Sequence, residues 1–141
     1  MLFRSRPAII LDVAHNPHAA AVLAANLDSL AADAKPGSDT IAVFGMLHDK
    51  DVAGVCAALK GRIDKWHVAG LPGPRGSTAE ALRETIRATD VIADIATYPS
   101  ITAAFAAARD RATVDDRIVA FGSFLTVADV ILACRISAPR R

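Results

Sequence analysis

Cysteine and excess charge are both scarce in this 141-residue sequence, and each scarcity removes a class of protein. There are two cysteines, Cys56 and Cys134, without the spacing of a disulfide framework or a thiolate metal site. Both fall on the apolar side of a helix in our reading, so reduced, buried thiols are expected. The formal net charge is +1, with acids and bases scattered, which gives no basis for a nucleic-acid or anionic-membrane surface. The Arg140-Arg141 tail is too short to alter that. No apolar run approaches the roughly 18 to 20 residues that span a bilayer. The start, Met1-Leu2-Phe3-Arg4-Ser5-Arg6-Pro7, has no apolar stretch leading to a cleavage site, so a cytoplasmic location is expected.

Motifs are missing as well. No Gly-x-x-x-x-Gly-Lys-Ser/Thr pattern occurs, so a P-loop is not on this chain. No Gly-x-Gly-x-x-Gly follows the first strand and no acidic residue ends the second near Phe44, which argues against a dinucleotide-dependent oxidoreductase. A phosphoacceptor receiver would need an acidic cluster after the first strand and an aspartate after the third, which here ends Ala69-Gly70.

Hydrophobic residues make up 52% and charged residues 22%, the balance of a compact globule, and the length suits one domain over residues 1–141. Periodicity gives a strand-helix alternation repeated five times. Ala8-Ile9-Ile10-Leu11 reads as a strand buried on both faces. Asn16 caps the helix that follows, Pro17 takes its first position, and Ala20, Leu23, Ala24, Leu27 and Ala31 form the inner face. Thr40 to Phe44 is the second strand. Asp49 or Asp51 caps a helix facing inward with Val52, Val55, Cys56 and Leu59 and ending at Gly61. Lys65 to Ala69 is the third strand, with Trp66 as packing, and after the loop Gly70 to Gly76 a Ser77/Glu80 capping box opens a helix through Arg87. A fourth strand is expected near Val91 to Thr97, then a helix from Pro99-Ser100 with Ile101, Ala104, Phe105 and Ala108 inward. Arg117 to Phe121 is the fifth strand, and Gly122-Ser123 leads into a last helix carrying Phe124, Val127, Ala128 and Ile131.

Such alternation implies an α/β fold: a mostly parallel, doubly wound, Rossmann-like sheet with helices on both faces. Ligands of these sheets bind beyond the carboxyl ends of the strands. The polar residues there are Asp12, His15, Asn16, the His48-Asp49-Lys50-Asp51 group, Arg75 and Ser123, and they are expected to share one rim. A helix amino terminus offers free N–H groups to phosphate or carboxylate. Asp12 can accept from a ribose hydroxyl or an adenine amino group, and His15 can donate to a phosphoryl oxygen. On spacing alone, Asn16 and Pro17 can equally be a simple cap and Asp12 a satisfier of loop amides. Lys50 is either a partner for a glutamate carboxylate or phosphate, or a solvated lysine between two aspartates. Ser123 is a donor to a carboxylate or an N-cap, and Arg75 reaches an anion, another domain or only water. His48 and His67 have no second ligand at metal spacing, and no metal site is expected.

Leu11-Asp12-Val13-Ala14-His15-Asn16-Pro17-His18-Ala19-Ala20 resembles the signature of the folylpolyglutamate and dihydrofolate synthases, relatives of the Mur ligases. Three further segments are similar to that family in the same order: Val43-Phe44-Gly45-Met46-Leu47-His48-Asp49-Lys50-Asp51, Pro74-Arg75-Gly76, and Phe121-Gly122-Ser123-Phe124-Leu125-Thr126-Val127. The resemblance implies the carboxyl-terminal domain of a C–N ligase of folate biosynthesis. Such an enzyme binds ATP and Mg2+ mainly on an amino-terminal P-loop domain. It phosphorylates the terminal carboxylate of dihydropteroate or a folate, and L-glutamate then attacks the acyl phosphate. It further implies that Asp12, His15 and Asn16 meet the nucleotide, that His15 lies near the transferred phosphate as a catalytic group, and that Lys50, Ser123 and Arg75 are candidates for holding glutamate.

The family's ATP-contacting arginine upstream of the first strand would precede Met1. We therefore expect an excised domain or a fragmentary reading frame, with Met1 an added initiator, inactive alone and weak in nucleotide affinity. The competing reading is a free-standing Rossmann-like ligand-binding or interaction domain without catalysis.

Overall fold

The computed structural model describes residues 2–3 and 7–137, with side chains over 7–135. The Met1 start and the Arg140-Arg141 tail lie outside the described residues. The order is β1 (Leu2–Phe3), β2 (Ala8–Asp12), α1 (Pro17–Ala32), β3 (Thr40–Phe44), α2 (Val52–Leu59), β4 (Lys65–Ala69), α3 (Ala79–Thr89), β5 (Asp94–Tyr98), α4 (Ile101–Arg111), β6 (Arg117–Phe121) and α5 (Phe124–Ser137). One sheet runs β1-β2-β6-β3-β4-β5. Strands β2 to β6 are mutually parallel, and β1 joins the edge antiparallel, pairing Leu2 with Ile10 and Phe3 with Ile9. The expected doubly wound sheet is therefore present, and the short edge strand β1 is an addition to it.

Alternation along the strands divides the interior in two. Ile10, Ala42, Phe44, Trp66, Val68, Val119 and Phe121 point to one face, where Leu23, Leu27, Val55, Leu59, Leu82 and Ile86 of α1, α2 and α3 cover them. Ile9, Leu11, Ile41, Val43, Ala69, Ile118 and Ala120 point to the other, under Ile101, Phe105 and Ala108 of α4 and Val130 of α5. Phe44, Trp66 and Phe121 form an aromatic cluster in the first layer, with centroid separations of 4.8, 5.5 and 6.0 Å. Trp66 is thus packing, as its sequence position suggested.

Local chemistry explains the element ends, with corrections. Asn16 accepts from the Ala19 amide at 2.8 Å and Asp51, rather than Asp49, from Gly54 at 2.9 Å, so these two cap α1 and α2. The cap of α3 is Thr78, which accepts from Ala81, and not Ser77. The Ser77 backbone is already tied to its neighbours, its N–H donating to Met46 and its carbonyl accepting from Leu71, so the helix starts one residue later. Strand β5 begins at Asp94, because Val91 and Ile92 lie in a turn and are exposed. Asp94 is tolerated on this edge strand through its ion pair with Arg111 at 3.2 Å. Ala31 faces solvent, since the buried stripe of α1 ends at Leu27. Cys56 is buried and its thiol is pushed up to about 12 by desolvation, whereas Cys134 is only half-buried.

Strand β4 also carries His67, 1% exposed, stacked on Tyr98 at 5.1 Å, with neither ring nitrogen hydrogen-bonded. Burial holds its pKa below the usual 6.5. The Arg111 and Lys65 charges act the same way, against upward pulls from the Ala104 backbone, which lies outside hydrogen-bonding geometry, and from Asp94. The unfolded chain takes up the proton first, so stability is full above pH 6.5 and is lost as pH falls below it. The slope is at most about 1.4 kcal/mol per pH unit until the folded group titrates. Urea unfolding of the wild-type domain should show a falling midpoint from pH 7 to pH 5, and His67→Phe should flatten that slope. An equal slope in the variant would remove His67 as the cause.

Candidate functional site

The carboxyl ends of the parallel strands gather most of the polar residues singled out in the sequence. Strands β2 and β6 are neighbours, with Asp12 opposite Phe121, but the helices that follow them lie on opposite faces. The turns 12–16 and 122–124 lie side by side at the carboxyl edge of the sheet, the Gly122 N–H donating to the Val13 carbonyl at 3.3 Å. Asp12 ends β2 half-buried, and one carboxylate oxygen accepts from the Ala14 amide at 2.9 Å. The second oxygen faces no donor among the described residues. The half-buried His15 ring lies 6.3 Å from Phe124, joining the start of α1 to the start of α5. Phe124 is 71% exposed. The buried positions at the start of α5 are Ser123, Thr126 and Val130, with Val127 and Ile131 partly buried beside them as the sequence suggested, whereas Phe124 and Ala128 are exposed.

A third helix start meets these two. A Cβ added to Gly54 of α2 would come 2.6 Å from Pro17 Cγ, so the first turns of α1 and α2 touch. This brings the Lys50-Asp51 segment beside Asn16-Pro17. Three helix amino termini, each with a partial positive charge and N–H groups lacking intrahelical partners, therefore border one rim.

Lys50 is exposed and makes no ion pair among the described residues. Arg75 does: its Nη2 and Nε lie 2.8 and 2.9 Å from one oxygen of Asp49. Desolvation pulls the Asp49 carboxyl upward, but the hydrogen bond and charge of Arg75, with the Lys50 charge, together outweigh it and hold the pKa below its ordinary value. The loops carrying them are zipped together. His48 N–H donates to the Arg75 carbonyl at 2.8 Å, Ser77 N–H to Met46 at 2.9 Å, and the His48 ring pairs with the Pro74 carbonyl at 3.0 Å. Arg75 thus belongs to a braced double loop and is already engaged with a carboxylate.

Ser123 is not a free donor. Its hydroxyl oxygen accepts from the Thr126 amide at 3.1 Å and lies 3.0 Å from the Thr126 hydroxyl, which itself donates to the Gly45 carbonyl at 2.9 Å. Thr126 has one hydroxyl proton and spends it on Gly45, so Ser123 is the donor to Thr126. Its residue is only 5% exposed. Binding a carboxylate through Ser123 would break this relay, and of its two sequence readings the structure shows the N-cap.

A separate open cleft of about 600 Å³ lies beyond β4 and β5, bordered by Gly70, Ser77, Tyr98 and Ser100, and includes neither Asp12 nor His15. Among the described residues no three His, Cys, Asp or Glu side chains are grouped to hold a metal ion, and no helix is long and apolar enough to cross a membrane.

A family model described as the Mur ligase, glutamate ligase domain, matches residues 2–124. The chain belongs to that family. It is 42% identical over 125 residues to the dihydrofolate synthase/folylpolyglutamate synthase of Escherichia coli (strain K12), covering 89% of this chain and 27% of the relative. The structure described as E. coli FolC in complex with DHPP and ADP superposes with a TM-score of 0.84 at 40% identity, over 97% of this chain and 31% of that one. A bifunctional folylpolyglutamate synthase/dihydrofolate synthase with Mn, AMPPNP and L-glutamate bound gives 0.81 at 37% identity, over 96% and 30%. This Mur ligase glutamate ligase domain thus spans little more than a quarter of the length of the curated relative.

The turn after β6 tolerates no side chain at Gly122. Its φ is +112°, and a Cβ there would strike the Gly45 carbonyl and the Phe44 ring, whereas Gly61, with φ +80°, faces open space. Gly61→Ala should cost about 1 kcal/mol from the left-handed backbone alone, and Gly122→Ala at least about 2 kcal/mol more because packed backbone must also move. Chemical denaturation of the two variants checks this; equal losses would mean that the close approach is not a constraint.

Proposed function

We propose that this chain is the carboxyl-terminal, Mur ligase-type domain, spanning 1–141, of an ATP-dependent dihydrofolate synthase/folylpolyglutamate synthase. The full-length enzyme adds L-glutamate to dihydropteroate, to folates or to both through an acyl phosphate, in the cytoplasm. The observation that carries this reading is the meeting of three helix starts around Asp12 and His15, a wall suited to a polyanion, in a chain of the Mur ligase family. The relatives solved with ADP or AMPPNP support it.

The roles follow from what each group has free. Asp12 keeps one carboxylate oxygen for a ribose hydroxyl or adenine amino group. Asn16 has its side-chain oxygen committed to the Ala19 amide, which leaves its NH2 as the donor available to nucleotide. His15, beside two helix starts, donates to a phosphoryl oxygen, stabilising charge without covalent participation. Lys50 is the best placed of the glutamate candidates, because Arg75 is paired with Asp49 and Ser123 with Thr126. A divalent cation, Mg2+ in this reading, would supply charge neutralisation on the transferring phosphate. No three His, Cys, Asp or Glu side chains among the described residues are grouped to hold it, and in this reading its ligands lie with the P-loop on the amino-terminal domain.

Joined to such an amino-terminal domain, the protein should release ADP in a glutamate-dependent manner with dihydropteroate or tetrahydrofolate. A folded, ATP-binding, full-length protein without that turnover would overturn the reading and favour a non-catalytic domain. In the same protein His15→Ala should lower kcat by about 100-fold, the scale of one lost transition-state donor, with little change in Tm. A lower Tm at unchanged turnover per folded molecule would make His15 a structural residue instead.

A further inference from the structure

We propose that Thr126 is a positioning residue of this site, a role resting on the ligase reading above. Thr126 lies in the first turn of α5, is fully buried, and touches no surface that a substrate can reach. Its hydroxyl nevertheless joins the two loops that bear the candidate groups. It donates to the Gly45 carbonyl, 81 positions away in sequence at the end of β3, and receives the Ser123 proton, while its amide donates back to Ser123. The relay Ser123 to Thr126 to Gly45 is therefore directional and fully committed.

Its effect is geometric. The start of α5 carries Phe124, which contacts His15, and the segment after Gly45 carries Lys50 and Asp51, with α2 resting against Pro17. Three links thus close a ring around the rim: His15 to Phe124, Pro17 to Gly54, and Thr126 to Gly45. The first two are apolar or aromatic contacts that can slide. The third is a buried side-chain hydrogen bond with a defined length and direction, and it fixes the separation of the α5 start from the Lys50 segment, while the Gly122 N–H, donating to the Val13 carbonyl at 3.3 Å, holds the same turn to the one after β2.

The test uses the full-length protein, with Thr126→Val keeping shape and losing the hydroxyl, and Thr126→Ser keeping the hydroxyl. Misplacement of reacting groups by about 1 Å costs up to about 100-fold. We expect Thr126→Val to lower kcat/KM for glutamate by at least about 10-fold, with KM for ATP within about 3-fold, and Thr126→Ser to stay within about 3-fold of wild type. A lowered Tm with unchanged kinetic constants per folded molecule, or equal effects of Val and Ser, would overturn the proposal. If Thr126→Val does not fold, Thr126→Ala removes the same hydrogen bond to Gly45 with a smaller side chain, and an unchanged kcat/KM for glutamate in that variant would overturn it equally. Loss of all turnover in the unsubstituted protein would strike the ligase reading, whereas normal wild-type turnover with silent variants strikes only the role of Thr126.

Discussion

The close approach of Gly122 to Gly45 is the constraint from which the rest of the rim follows. Strands β3 and β6 lie side by side, parallel and in register, and end level at Phe44 and Phe121. One chain then turns toward α2 and the other toward α5, on opposite faces. Between the two ends there is no volume for a side chain: a Cβ on Gly45 would meet Ile101, Leu71 and Thr126, and one on Gly122 would meet the Gly45 carbonyl. Because the turns touch, Thr126 reaches the Gly45 carbonyl, Ser123 is buried, and Phe124 is carried outward to His15. Larger residues at either position would separate the turns and dissolve the arrangement.

Much of this was legible in the sequence because it depends on local rules. The helix starts at Asn16-Pro17, Asp51 and Ser100, the four buried strands with near-continuous apolar runs, and the parallel doubly wound class all follow from capping chemistry and period. Strand order was not legible. Runs such as Ile9-Ile10-Leu11 and Ile118-Val119-Ala120 are equally apolar, and nothing local states that β6 inserts between β2 and β3. That insertion places Gly122 against Gly45 and Phe124 against His15.

The local misreading of Ser77 and the points the sequence left open have the same origin. Ser77 and Glu80 have the spacing of a capping box, but the Ser77 backbone is claimed by Met46 and Leu71 from other segments, so Thr78 caps the helix. Ser123 looked able to donate to a carboxylate until its proton was accounted for, and the acceptor, Thr126, points to a carbonyl 81 positions distant. Arg75 looked free in a glycine- and proline-rich loop, but the braced loops set it on Asp49. In each case a long-range partner decided between two locally sensible roles.

The energetics of three helix starts explain why such a rim works as one wall of a larger site. An exposed helix amino terminus stabilises an anion by about 0.3 to 1 kcal/mol, so three supply at most about 3 kcal/mol, below the roughly 4 kcal/mol of a millimolar complex. Lys50 adds one mobile charge, while Asp12, Asp49 and Asp51 oppose an approaching phosphate. Tight binding of a nucleotide therefore requires a second wall with its own cations. Exposure also weakens each interaction through solvent screening, and covering the rim lowers the local dielectric and strengthens every dipole already aimed at it. The exposed Phe124 ring beside His15 fits this logic. It lies on the surface a covering domain would dry, so the same closure that buries an aromatic ring strengthens the field of the helix starts around it.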